Sequence, residues 1–153
     1  MTLLLILIFS LQGVAMLFDE FYFHRKRGLP MWERIGHPLD TLSVLICYSY
    51  LAVTVDSQFS PQIYAGLSVF SCLLITKDEW VHKEKCLALE HWLHSLLFVL
   101  HPVMLYGAYI CARSEGMFMY FQLLFSVTGL MFFYQIFYWN IFVPVRRRGL
   151  NHD

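Results

Sequence analysis

Four carboxylate–histidine pairs, each spaced i, i+4, punctuate a chain that is otherwise rich in apolar residues. They are Glu20 with His24, Glu33 with His37, Asp78 with His82, and Glu90 with His94. On a helix this spacing puts carboxylate and imidazole on one face, a turn apart. Carboxylate oxygen and imidazole nitrogen are together the donor set that suits iron, manganese or zinc. Further residues of ligand type lie close by. Asp40 follows His37 on the same helical face, His101 follows His94 two turns on, and Asp19, Glu79 and His91 adjoin members of the pairs. The candidate metal ligands are therefore Glu20, His24, Glu33, His37, Asp40, Asp78, Glu79, His82, Glu90, His91, His94 and His101, with Glu79 also the candidate base.

One such pair is weak evidence, because helix-end ion pairs of this kind are common on wet surfaces. Four of them in a repeat weigh more. Glu20 and His24 recur 58 residues later as Asp78 and His82; Glu33 and His37 recur 57 residues later as Glu90 and His94. The apolar segments beside them align as well. Residues 1–56 and 61–112 thus read as two copies of one helical hairpin, related by a pseudo-two-fold axis along the membrane normal. The Glu79-x-x-His82 spacing is similar, at the level of the motif alone, to that of the di-iron carboxylate proteins, whose ligands project inward from facing helices. The paired histidines of membrane desaturases and hydroxylases are absent.

The elements that must hold these residues follow from composition. Among 153 residues, 58% are hydrophobic, 18% aromatic and only 14% charged, against ~25% charged in soluble domains. A membrane span takes ~20 mostly apolar residues. Segments at about 1–18, 38–56, 61–77, 92–112 and 117–143 meet or approach that length. They are unbroken instead of alternating, which predicts helices and no strands. The expected fold is an all-α integral membrane protein with five transmembrane helices. Helices 1–4 form a four-helix bundle of two repeated hairpins, helix 5 stands outside the repeat, and residues 144–153 are a basic tail. The N-terminal segment lacks a basic start and a small-residue cleavage site, so it reads as a retained first helix.

Basic residues cluster in three places: Arg25 to Arg27 with Arg34, then Lys77, Lys83 and Lys85, then Arg146 to Arg148. Lys and Arg mark the cytoplasmic side. All three clusters fall there if the N-terminus is outside and the C-terminus cytoplasmic, in a bacterial inner or plasma membrane. The pairs then lie at the cytoplasmic edge. The four tryptophans, including Trp139, lie near the same boundary and read as an interfacial belt.

Composition excludes several classes. The net charge is zero, so no overall field recruits nucleic acid. Glycine-rich phosphate loops and zinc-finger spacings are missing. The four cysteines are scattered singly and imply neither a disulfide framework nor a thiolate cluster. The first expectation for function is a di-metal oxidoreductase, with iron favoured over zinc or manganese. It would hydroxylate, desaturate or cleave a lipidic substrate with O2, fed by an external electron-donor protein. The alternatives are a zinc-dependent membrane hydrolase acting on a lipid or phospholipid, and a non-enzymatic haem or metal-ion carrier.

Overall fold

The computed structural model describes residues 2–54, 58–78 and 87–143. These form five long helices and, among the described residues, no strand. Helix α1 (Thr2–Phe18) runs on through a wider π-helical turn (Asp19–His24) and a last α-turn (Arg25–Arg27). Helix α2 is Met31–Val53 and α3 is Pro61–Leu74, the latter ending in a 3₁₀ turn (Ile75–Asp78). Helix α4 is Ala88–Arg113. Helix α5 (Phe118–Phe137) is preceded by a 3₁₀ turn (Glu115–Met117) and followed by a second π turn (Tyr138–Phe142).

Three of these stretches are long and apolar enough to cross a bilayer: Leu3–Arg27, Ala88–Arg113 and Glu115–Phe142. The expected five spans are met in that part. Helix α2 has the length, at 23 residues, but its first half carries Glu33, Arg34, His37 and Asp40. Helix α3 has only 14 residues. The outer surface is apolar to a degree a soluble domain would not tolerate. Along α5, Met119, Leu123, Leu130, Phe133 and Phe137 are all exposed. Their helical spacing draws one outward stripe, as lipid contact requires.

Packing runs between the two sequence halves. Helix α1 lies mainly against α4, and α2 lies mainly against α3 and α5. Gly107 on α4 marks the closest approach of the first pair. A Cβ there would stand 3.0 Å from side-chain atoms of both Leu5 and Phe9. The apolar core, with Cys47, Tyr48, Leu51, Leu105, Ala108, Cys111 and Phe121 at its centre, fills the half of the bundle away from the pairs.

The helices begin and end further into the polar stretches than apolar length alone suggests. Residues 19–27 continue α1 instead of forming a loop, and 31–37 already belong to α2. Only Gly28, Leu29 and Pro30 connect them. Gly28 sits at φ 76°, ψ 153°, a region essentially restricted to glycine. Its N–H donates to the His24 carbonyl at 2.8 Å, closing the end of α1. A Gly28→Ala variant should lose about 1–3 kcal/mol from this strain, read as a lower thermal midpoint of the purified protein in detergent. An unchanged midpoint would show that the turn relaxes freely.

Candidate metal centre

The polar residues are dry. Asp19, Glu20, His24, Glu33, Glu90 and His94 are all buried, none more than 6% exposed. A wet, merely charged loop is thereby ruled out for these six. Burying so many ionisable groups is costly unless they are paired or bind an ion.

The π turn sets the first part of the site. An α-helical period brings Glu20 opposite His24, and this contact forms: Glu20 Oε2 lies 3.3 Å from His24 Nδ1. A π-helical turn bonds residue i to i+5, which aligns residues five apart. Asp19 therefore also reaches His24, its Oδ2 lying 3.2 Å from Nε2. One imidazole is held between two carboxylates of its own helix. From α4, His94 Nε2 comes to 3.1 Å from the same Asp19 oxygen.

Hydrogen-bond directions then fix the state of the ring. A carboxylate accepts, so Nδ1 of His24 donates to Glu20 and carries a proton. Glu20 is itself oriented by the indole N–H of Trp139, which donates to its other oxygen. In the neutral ring Nε2 then bears the lone pair, aimed into a dry site 3.2 Å from a carboxylate oxygen. Nε2 makes no hydrogen bond there. A lone pair against an anion is repulsive unless a second ring proton or a metal ion sits between them. Ligand atoms around a tetrahedral ion with bonds of about 2.0–2.1 Å lie about 3.3 Å apart. The spacings at Asp19, His24 and His94 have that size. Trp139, Glu20 and His24 make the carboxylate–histidine arrangement that holds metal-ligating imidazoles in place.

Two groups of donors result. Asp19, His24, Glu90 and His94 each offer an atom within 4.8 Å of the others, and so do His24, Glu33 and His37. His24 belongs to both, and its ring stacks on that of His37 with centroids 4.7 Å apart. Arg27 ties the groups together. Its guanidinium forks onto Glu33 at 3.1 and 2.8 Å and also reaches Glu90 Oε1 at 3.0 Å. The three-residue connection at Gly28 is what brings Arg27 over the start of α2. Arg27 reads as a topology signal in the sequence; in the fold it is the counter-ion of two buried carboxylates.

The other sequence candidates fall elsewhere. Asp40 is paired with Lys77, whose Nζ donates to both carboxylate oxygens at 2.6 and 2.7 Å, and it belongs to neither donor group. His101 is hydrogen-bonded to Ser71 deeper in the bundle, at 2.9 Å. His91 is half-buried and outside both groups. Glu20 acts through His24 and Trp139 instead of joining a donor group. Glu79 and His82 lie outside the described residues, as does the side chain of Asp78. Asp19 is the addition: the i, i+4 spacing favours its neighbour, and only the π turn brings it in. Trp139 is the second. It is buried at 3% exposed and serves the site instead of an interfacial belt. Substituting it with phenylalanine keeps the ring but removes the N–H. By the usual cost of losing such an orienting partner, metal affinity should fall about 10–100-fold, as measured by competition with a chelator.

A cavity of about 270 Å³ opens onto this centre. Its polar end is Asp19, Glu20, His24, His37 and His94; its walls are mostly apolar, with Phe9, Met16, Leu97, Leu124 and Met131 among them. Small-molecule sites run from about 300 Å³ upward, so the space suits a slender apolar group. Comparison with known families, with curated proteins and with solved structures finds no match to this chain.

Proposed function

We propose that the chain is a membrane-embedded, metal-dependent oxidoreductase whose His/carboxylate centre oxidises a lipidic substrate with O2. The observation that carries the metal is the convergence of Asp19, His24, Glu90 and His94, all buried, with donor atoms within 4.8 Å of one another. The two donor groups meet at His24, whose one free nitrogen serves a single ion; a second ion, and iron over zinc or manganese, rest on the sequence pattern of paired carboxylates and histidines. The positive-inside pattern of the sequence supports a centre at the cytoplasmic edge of the membrane, with the N-terminus outside.

The cavity supports a lipidic substrate. Its apolar walls would hold a chain, with the reacting carbon at the end lined by Asp19, His24 and His94. A metal held by Asp19, His24, Glu90 and His94 would supply the activation of O2. The residues of the chain hold the ligands in a dry site, where electrostatic interactions are strong, and admit an unfunctionalised chain end on. In its simplest form the reaction is R–H + O2 + 2 e⁻ + 2 H⁺ → R–OH + H2O. The electrons come from a partner protein.

A zinc hydrolase is the second reading. Asp19, His24, Glu90 and His94 would suit one tetrahedral ion. It loses ground at Arg27, the natural holder of a phosphate, which is spent on Glu33 and Glu90. The test is isotopic. Native membranes containing the iron-loaded protein and a reductant, exposed to ¹⁸O2, should yield lipid carrying ¹⁸O. Lipid cleaved with oxygen from H2¹⁸O alone would favour the hydrolase instead.

A further inference from the structure

Two polar groups in the middle of the membrane-spanning helices take no part in the metal centre. One is Gln12 on α1, 6% exposed, whose amide oxygen Oε1 is buried without a hydrogen-bond partner. The other is His101 on α4, 5% exposed. Both line the cavity.

The hydrogen bonds around His101 determine its tautomer. Ser43 has a single hydroxyl proton, and it donates this to the Asp40 carbonyl at 2.7 Å. In the 2.7 Å contact between Ser43 and Ser71, the donor must then be Ser71. With its proton spent there, Ser71 accepts from His101 Nε2 at 2.9 Å. The neutral ring therefore keeps its proton on Nε2 and its lone pair on Nδ1. Nδ1 has no hydrogen-bond partner among the described residues.

Gln12 and His101 stand at one level. Helices α1 and α4 pack together and run antiparallel: Asp19 meets His94 at one end, and Leu5 and Phe9 meet Gly107 at the other. Gln12 is seven residues before Asp19, and His101 is seven residues after His94. Seven residues of helix are ~10.5 Å. Two acceptors thus share a level about 10 Å from the metal ligands, in a cavity that is otherwise mostly apolar. An unsatisfied acceptor in hydrocarbon is costly, and among the described residues no donor meets Gln12 Oε1.

We propose that Gln12 and His101 form a hydrogen-bond-accepting collar that recognises a hydroxyl group on the lipidic ligand, about 10 Å from the end that enters the metal centre. A ligand O–H between Gln12 Oε1 and His101 Nδ1 satisfies an acceptor that is otherwise stranded, and an alkane of the same length leaves both unmet. The distance from collar to centre would set which carbon lies at the ligands. This deepens the proposed function and rests on it for the reacting end, but the binding itself needs no metal.

The experiment uses chelator-stripped protein in detergent and two probes, decan-1-ol and decane, each displacing a bound fluorescent fatty-acid analogue. The ratio of their affinities is compared between the parent and two variants, Gln12→Met and His101→Leu, so that partition into the micelle cancels. One net hydrogen bond corresponds to about a fivefold effect. A hydroxyl donates one proton, so the double variant Gln12→Met/His101→Leu should lower decanol affinity about fivefold and keep that for decane, and at least one single variant should do the same. Equal affinities in parent and variants would overturn the collar. So would a parallel loss for both probes, which would mark the two residues as packing groups. Displacement by neither probe would remove the cavity as a ligand site. Metal content is measured separately, so failure of the collar leaves the metal reading standing, and the reverse holds too.

Discussion

Replacing His24 with alanine should abolish metal binding altogether. His24 belongs to both donor groups, so whichever of them holds the ion loses a ligand. Losing only an orienting partner typically costs 10–100-fold in affinity, and losing a shared ligand should exceed about 100-fold. The measurement is metal retained per chain after dialysis against a chelator of graded strength. His91→Ala is the control, because His91 is on the same helix as His94 but outside both groups. It should retain metal like the parent. If His24→Ala does so too, the groups at the end of α1 are an ion-pair network and nothing more.

Arg27→Leu should be strongly destabilising. Glu33 and Glu90 have side chains 0% and 2% exposed, and both hydrogen-bond to Arg27. Removing one partner of a buried pair costs about 3–5 kcal/mol, because the other charge is left uncompensated. Here one cation serves two carboxylates. Arg27→Lys keeps the charge but loses the planar fork, and should fall between. Glu33→Gln and Glu90→Gln placed together on Arg27→Leu should recover much of the loss, since the stranded charges disappear with the cation. The readout is the thermal midpoint of metal-free protein in detergent. A midpoint for Arg27→Leu equal to that of the parent would mean that water reaches these carboxylates.

Much of the buried His/carboxylate cluster is legible in the sequence, and the exceptions have physical reasons. The i, i+4 spacing identifies Glu20 with His24 and Glu90 with His94, because α-helical periodicity governs most of those turns. It also brings Glu33 and His37 into one group. It ranks Asp19 below Glu20 because it assumes 3.6 residues per turn, and the chain winds more loosely over Asp19–His24. Arg27 is hidden for another reason. Three consecutive basic residues read as a topology signal, and only the fold shows that the third turns inward over the Gly28 connection. Asp40 and His101 look like ligands because nothing in a sequence reveals that Lys77 and Ser71 already satisfy them. Trp139 lies 119 residues from Glu20, beyond the reach of any periodicity. For the fold, helical class and three membrane-length helices follow from apolar run length. The polar start of α2 and the shortness of α3 show where run length stops being informative.

The central claim is that the dry cluster of Asp19, His24, Glu90 and His94, with Glu33 and His37 beside it, holds metal. Elemental analysis of protein purified anaerobically from its native membranes tests this most directly. We predict at least one metal ion per chain, iron favoured, falling to none in His24→Ala. Protein that carries no stoichiometric metal of any kind, while folded and with its cluster intact, would contradict the account.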